Sequence, residues 1–169
     1  MPHQPVPVDD VLASLAARFG SSETSVYRGD TRVVAPAERS FELLEFLKQH
    51  GFDLLVDVSC VDYLEYKGVK HRYGLVYLLA STATNQRLTV RVFVDDPEPT
   101  VRSAVPLWQA ANWLEREVWD LFGIRFAGHP DLRRLVMPEQ FTAHPLRKDY
   151  PLQGRGERHN FPVLTRDDG

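Results

Sequence analysis

Hydrophobic and polar positions along this chain change period, and the changes mark out its elements. Near the N-terminus Val11, Leu12, Leu15, Ala16 and Phe19 recur with helical spacing, Asp9 stands where a cap is needed, and Gly20 ends the run. Val26 and Arg32-Val33-Val34-Ala35 read as short strands. A second helix opens at Pro36 or Ser40. It sets Phe41, Leu44 and Leu47 on one stripe with Leu43 and Phe46 beside it, and closes at Gly51. Three strand-like runs follow: Leu54–Asp62, Tyr73–Leu79 and Leu88–Val94, rich in leucine, aromatic and β-branched residues. Turn residues at Glu65–Gly68 and Thr84–Gln86 separate them, so an antiparallel meander is predicted. Within the last run Val90, Val92 and Val94 share one face and Thr89, Arg91 and Phe93 the other. That contrast suits a sheet covered by helices on one side only.

Pro97, Pro99 and Pro106 interrupt the pattern. A third helix is then predicted from about Leu107 to Phe122. Its apolar stripe comprises Trp108, Ala111, Leu114 or Glu115, Val118 and Phe122, with Gly123 as the C-terminal cap. Ile124-Arg125-Phe126 reads as a short strand. Beyond it Pro130, Pro138, Pro145, Pro151 and Pro162 recur, and proline both fixes φ and removes a donor. The expected organisation is an α+β body at 1–122 followed by an extended, proline-rich C-terminal tail at 123–169.

Charge sharpens that division. The net charge is −3, which argues against a general nucleic-acid binder. Residues 1–122 carry 12 basic and 17 acidic side chains, whereas 123–158 carry 7 basic and 4 acidic, so an acidic body bears a basic tail. Composition alone fits chance variation in solvated charge slightly better than a tail that docks on an acidic partner surface. Cys60 is the only cysteine, which leaves no intramolecular disulfide and no thiolate metal site within this chain; its apolar surroundings place it in the core. The opening MPHQPVPVDD has neither the basic start nor the apolar run of a secretory signal. No stretch approaches the roughly 18 apolar residues of a membrane span, so membrane association is expected only through a partner.

Specialised residues crowd the stretch from Leu114 to Leu152, yet it has no glycine-rich phosphate loop and no nucleophile beside a base. Glu115, Glu117 and Asp120 could serve acid–base chemistry or a metal. Glu115 and Glu117, two apart, face different ways on a helix, and Arg116 competes for neighbouring carboxylates. Internal salt bridges or a protein–protein contact suit them better than catalysis. His129 and His144 stand fifteen apart, each before a proline, without the tight spacing of a zinc pair, so local hydrogen bonds are the expected role. Arg133-Arg134 and Arg147-Lys148 could grip phosphate, RNA or an acidic protein face, or each pair could simply be solvated surface. Trp113 and Trp119 fall outside the apolar stripe of the third helix, which suits an interface or a broad buried face.

Glu115-Arg116-Glu117, Asp120-Leu121-Phe122-Gly123-Ile124, His129-Pro130-Asp131-Leu132-Arg133-Arg134 and His144-Pro145-Leu146-Arg147-Lys148-Asp149-Tyr150-Pro151-Leu152 together resemble one family. That family is the thirty-kilodalton or C subunit of the proton-pumping NADH:quinone oxidoreductase, respiratory complex I. Gln140-Phe141-Thr142-Ala143 departs from the Asp-Trp and Gly that many relatives carry there. The resemblance implies a two-layer domain with a mixed, largely antiparallel sheet and helices packed on one face. It implies a non-catalytic subunit of the hydrophilic arm, peripheral at the cytoplasmic face of the bacterial inner membrane. Its neighbours would be chiefly the D subunit, which helps form the quinone pocket, and the iron–sulfur B and I subunits. Iron–sulfur clusters, FMN, NADH and quinone would be bound elsewhere in the complex and none of them by this chain. Partner contacts would then fall on Glu115, Arg116, Glu117, Asp120, Phe122, His129, Arg133, Arg134, His144, Arg147, Lys148, Asp149 and Tyr150. Two kinds of alternative remain at this point. One is an equivalent scaffold subunit of a membrane-bound hydrogenase or another quinone-reducing dehydrogenase. The other has a different chemistry: a stand-alone metal hydrolase using His129, His144, Glu117 and Asp120, or a nucleic-acid-binding tail.

Overall fold

The structure, a computed structural model, describes residues 8–20 and 23–157. Chain order is α1 (Val8–Phe19), β1 (Thr24–Tyr27), β2 (Asp30–Ala35), a single 3-10 turn at Ala37–Arg39, α2 (Ser40–Gln49), β3 (Leu54–Asp62), β4 (Tyr73–Ala80), β5 (Arg87–Val94), β6 (Thr100–Arg102), α3 (Ala111–Phe122) and β7 (Arg125–Ala127). The order of the main sheet is β1-β2-β5-β4-β3. The meander β3–β4–β5 is antiparallel, as its turn residues require, and Asn85 at the second turn takes the left-handed backbone (φ 56°) that its short amide tolerates. After β2 the chain crosses through α2 and the meander, so that β5 returns beside β2 in parallel. The result is the mixed, largely antiparallel sheet expected from the sequence.

Alternation decides which face is covered. Val33, Ala35, Leu75, Tyr77, Leu79, Leu88, Val90 and Val92 are buried on one face, packed with Val11 and Leu15 of α1, Leu43, Leu44 and Leu47 of α2 and Val118 of α3. The other face lies open, with Val56 at 51% and Val61 at 41% exposure. Ala16, expected on the buried stripe of α1, is exposed; Val11, Leu12, Leu15 and Phe19 make that contact. Asp9 lies inside α1, which begins one residue before it.

Two differences concern the region that matters most. The third helix starts at Ala111 rather than near Leu107; Leu107 and Trp108 form a preceding turn on the Ala104 carbonyl, and both side chains are buried. Thr100–Arg102, which the proline-broken sequence hides, is a strand that pairs in parallel with β7. Because of that pairing, residues 123–127 pack as part of the body: Ile124 and Phe126 are core residues. The irregular segment that the prolines impose therefore begins at Gly128. Residues 128–157, here called the strap, fold back onto α3 and the end of the sheet and bury Phe141 to 4% exposure.

Candidate functional site

An α-helix leaves its last four carbonyls without intrahelical partners. At α3 these are the carbonyls of Trp119, Asp120, Leu121 and Phe122, and each receives a donor. Gly123, in the left-handed conformation (φ 78°), donates its N–H to Trp119 at 2.8 Å. The strap supplies the rest: His144 Nδ1 to Asp120 (2.9 Å), the Leu146 N–H to Leu121 (3.0 Å) and Arg147 Nε to Phe122 (2.6 Å). Arg134 and Arg147 thus stand at the negative end of the α3 dipole. Gly123 is required here twice over, since a Cβ would lie 2.6 Å from His144 Cδ2 and 2.7 Å from Arg147 Nη2.

One turn back, Asp120 organises the other end of the strap. Its side chain is fully buried; Oδ1 meets Arg134 Nη1 at 2.5 Å, and Oδ2 accepts the N–H groups of Leu135 (3.0 Å), Val136 (2.7 Å) and Met137 (2.8 Å). Burial alone would raise its pKa, but the three amides and Arg134 outweigh burial and hold the carboxyl below its ordinary value. Arg134 also donates to the Ala143 carbonyl at 3.0 Å and lies over Phe141, closing the 134–143 loop on itself. Arg116 is buried too. Its guanidinium donates to the carbonyls of Arg133 (3.2 Å) and Arg134 (3.1 Å) and lies 4.9 Å from the Trp113 ring.

The histidines act locally. His129 Nε2 faces the Asn112 carbonyl at 3.1 Å while Nδ1 accepts the Asp131 N–H at 3.0 Å, which fixes the neutral tautomer with the proton on Nε2. The pKa of His144 is lowered, first by burial and then by the charges of Arg147 and Arg134. Among the described residues no three His, Cys, Asp or Glu side chains gather as a metal would require, so the hydrolase arrangement of His129, His144, Glu117 and Asp120 does not assemble.

A second cluster ties the strap to the sheet, and the sequence alone did not point to it. Arg72, just before β4, bonds the fully buried Asp62 at 3.3 Å, the strap's Asp149 at 2.8 Å, and Asp96. Asp62 also accepts the Lys148 N–H at 2.9 Å, and Arg147 lies over the Tyr73 ring. Arg72, Asp62 and Asp96 lie far apart in the sequence; only strand pairing brings them together. Burial acts against the Asp149 carboxylate, but the bond from Arg72 holds it below the ordinary range. Tyr150 bonds Glu157 at 2.9 Å and packs edge-on against Phe141.

The expected contact residues therefore separate by exposure. Glu115, Arg116 and Asp120 are buried and bonded inside the chain; Phe122, His129, Arg134, His144, Arg147 and Tyr150 are half-buried; Glu117, Arg133, Lys148 and Asp149 are exposed. Trp113 (59%), Leu135, Val136 and Leu146 add exposed apolar surface on α3 and along the strap. Chemically this is a fastening device: a helix end whose every demand for donors is met by its own cap and one returning segment.

Comparison with known proteins bears on what is fastened. The model of the family described as respiratory-chain NADH dehydrogenase, 30 Kd subunit, matches residues 33–156. The NADH-quinone oxidoreductase C subunit of Trichlorobacter lovleyi is 46% identical over 148 residues, which span 86% of this chain and 90% of that protein. NADH-quinone oxidoreductase subunit 5 of Thermus thermophilus is 45% identical over 130 residues, 73% of this chain and 63% of that one. Among solved structures, a trypsin-resistant fragment (1–134) of Nqo5 superposes with a TM-score of 0.69 at 38% identity, covering 74% of this chain and 98% of the fragment. A chain of an archaeal membrane-bound sulfane sulfur reductase shares the fold, with a TM-score of 0.76 at 21% identity over 94% of each chain.

Proposed function

The chain belongs to the family of the 30 Kd subunit of respiratory-chain NADH dehydrogenase, and from that premise we propose that it is a non-catalytic structural subunit of the hydrophilic arm of a proton-pumping NADH:quinone oxidoreductase. Electrons pass from NADH through FMN and iron–sulfur clusters to quinone in other subunits; this chain braces them. Its principal neighbour is the quinone-site D subunit, with the iron–sulfur B and I subunits beside it. The complex holds it at the cytoplasmic face of the inner membrane. Among the described residues no helix is long and apolar enough to cross a membrane, which agrees with attachment through partners.

The observation that carries this reading is the use of the charged residues. Glu115, Arg116, Asp120, Arg134 and Arg147 look like the material of an active site, yet each is spent on holding the chain's own backbone or side chains. What they produce is a fixed outer surface. Exposed charges on the strap, Arg133, Lys148 and Asp149, and the apolar side chains of Trp113, Val136 and Leu146 surround a segment that cannot shift without uncapping α3. A pre-organised surface of aromatic, basic and apolar groups is what a partner interface uses.

The test is truncation after Ala127, which keeps β7 and removes the strap. The expected outcome is a shortened chain that folds, with β7 still paired to β6, but no longer enters the complex. Assembly at full yield without the strap would overturn the docking role. The composition of the complex that co-purifies with the intact chain checks the rest: NADH- and flavin-binding subunits are expected, and a nickel–iron hydrogenase subunit would contradict the assignment.

A further inference from the structure

Three acidic residues are buried among the described residues, and they are not equivalent. Asp62 faces Arg72 and Asp120 faces Arg134. Glu115, with no exposed surface at all, makes no ion pair with any described residue. The cations on the adjoining segments have other partners. Arg116 is turned to the strap carbonyls, Lys48 of α2 to the Leu107 carbonyl and the Trp108 ring, and Arg102 to the Phe41 ring, 3.7 Å from its centroid. The groups that do surround Glu115 carry no charge near neutral pH. They are Ser103 and Ala104 of the β6–α3 connection, Tyr77 of β4, and next to Tyr77 the thiol of Cys60 on β3. Burial pushes the Tyr77 hydroxyl upward and the Cys60 thiol to about 12. A buried carboxylate with no partner cation is far costlier than the neutral acid, so such groups keep a proton rather than the charge.

The hydrogen bonds accommodate that proton. Oε1 accepts the Ala104 N–H at 2.6 Å, as a carboxylate or as the carbonyl oxygen of an acid. Oε2 lies 2.6 Å from Ser103 Oγ, which itself accepts the Val105 N–H at 3.2 Å. In the ionised form the serine hydroxyl donates to Oε2. In the protonated form Oε2–H donates to Ser103 Oγ, and only the hydroxyl hydrogen has to turn. Ser103 in turn donates its N–H to the Ala127 carbonyl, so this carboxyl pins the connection 103–108 between β6, β7 and α3.

We propose that Glu115 is a proton-holding group of the native fold, and that losing its proton loosens the 103–108 connection where α3 joins the sheet. The device is independent of the docking role and would operate in the isolated chain. Its pH window has a definite sign. The native carboxyl titrates at about 7 against an ordinary value of 4.5, with burial as the chief cause and the Ser103 and Ala104 bonds opposing it. The native state therefore binds more protons than the unfolded state between these values, and stability falls as pH rises through that window, then levels off above it.

The experiment compares the full-length chain with E115Q, whose amide reproduces the protonated acid: its oxygen accepts from Ala104 and its nitrogen donates to Ser103. Unfolding is measured by denaturant across the window, and the native carboxyl is followed by carbon-13 NMR of glutamate-labelled protein. The expected result is one glutamate resonance titrating near neutrality, absent from E115Q. The ratio of the two chains' unfolding constants should shift toward wild-type unfolding by up to about tenfold per pH unit. Hydrogen exchange at Ala104 and Val105, relative to E115Q, should accelerate over the same range. A pH-independent ratio, glutamate carboxyls that all titrate in the ordinary range, or an E115Q chain that fails to fold would each overturn the proposal.

Discussion

The carboxylate of Asp120 and the guanidinium of Arg134 meet at 2.5 Å across 14 positions of sequence, a span that encloses the end of α3, β7 and the first turns of the strap. Asp120 has no exposed surface and the Arg134 side chain is 11% exposed. Such a pair gives register more than net stability, because desolvation offsets much of its Coulomb energy. Register is what the strap needs: an irregular, proline-rich segment has no ladder of its own to say which residue sits where.

Replacing Asp120 with Ala should therefore cost much more than the pair itself contributes. It leaves Arg134 buried and unpaired and three strap amides without an acceptor, a loss of about 3–5 kcal/mol in urea unfolding. Limited trypsin digestion should show faster cleavage after Arg133 and Arg134. A loss below about 1 kcal/mol would mean the strap is held by other contacts.

Acid should release the strap before it unfolds the body. The native pKa of Asp120 lies below the ordinary 3.8, so its contribution is complete above that value and disappears as pH falls through the lower native one. Trp119, half-buried with His144 edge-on to it and Arg134 over it, is the reporter. Its fluorescence should change in that acid window, and D120N should abolish the step.

Gly123 and Gly128 make a matched pair. Both take positive φ, 78° and 80°, but a Cβ meets His144 and Arg147 at the first and nothing within 4 Å at the second. Gly128→Ala should cost about 1–2 kcal/mol from backbone strain alone. Gly123→Ala adds overpacking of about 1–3 kcal/mol and should also expose the strap to protease. Equal losses in thermal unfolding would show that Gly123 serves only its own backbone.

The Arg72 cluster should be strongly asymmetric. Arg72→Ala strands the fully buried Asp62 and should cost about 3 kcal/mol or more, whereas Asp149→Ala, at a half-exposed site, should cost about 1 kcal/mol or less. Denaturant unfolding of both single variants and the double variant measures the coupling. A larger loss for Asp149 would place the weight on the strap rather than on the sheet end.

Much of the local structure was legible along the chain. Helical stripes at Val11–Phe19 and Phe41–Leu47, two-residue alternation in Leu88–Val94 and the apolar composition of the other two long strands depend only on which residues lie next to which along the chain. Gly123 was legible as a cap for the same reason. The motif around Glu115, Asp120, His144 and Arg147 was legible as a family resemblance, and the family comparison agrees with it. Its internal wiring was not legible. Tertiary structure alone decided that Asp120 faces Arg134, that Arg72 joins Asp62 to Asp149, that Thr100–Arg102 is a strand, and that Glu115 faces no cation. The reason is physical. Periodicity reports how a segment meets a surface, whereas hydrogen bonds and ion pairs depend on what lies within about 3 Å. For α3 that neighbourhood is supplied by residues 11 to 25 positions away, His144, Leu146 and Arg147 among them, whose path no local pattern records.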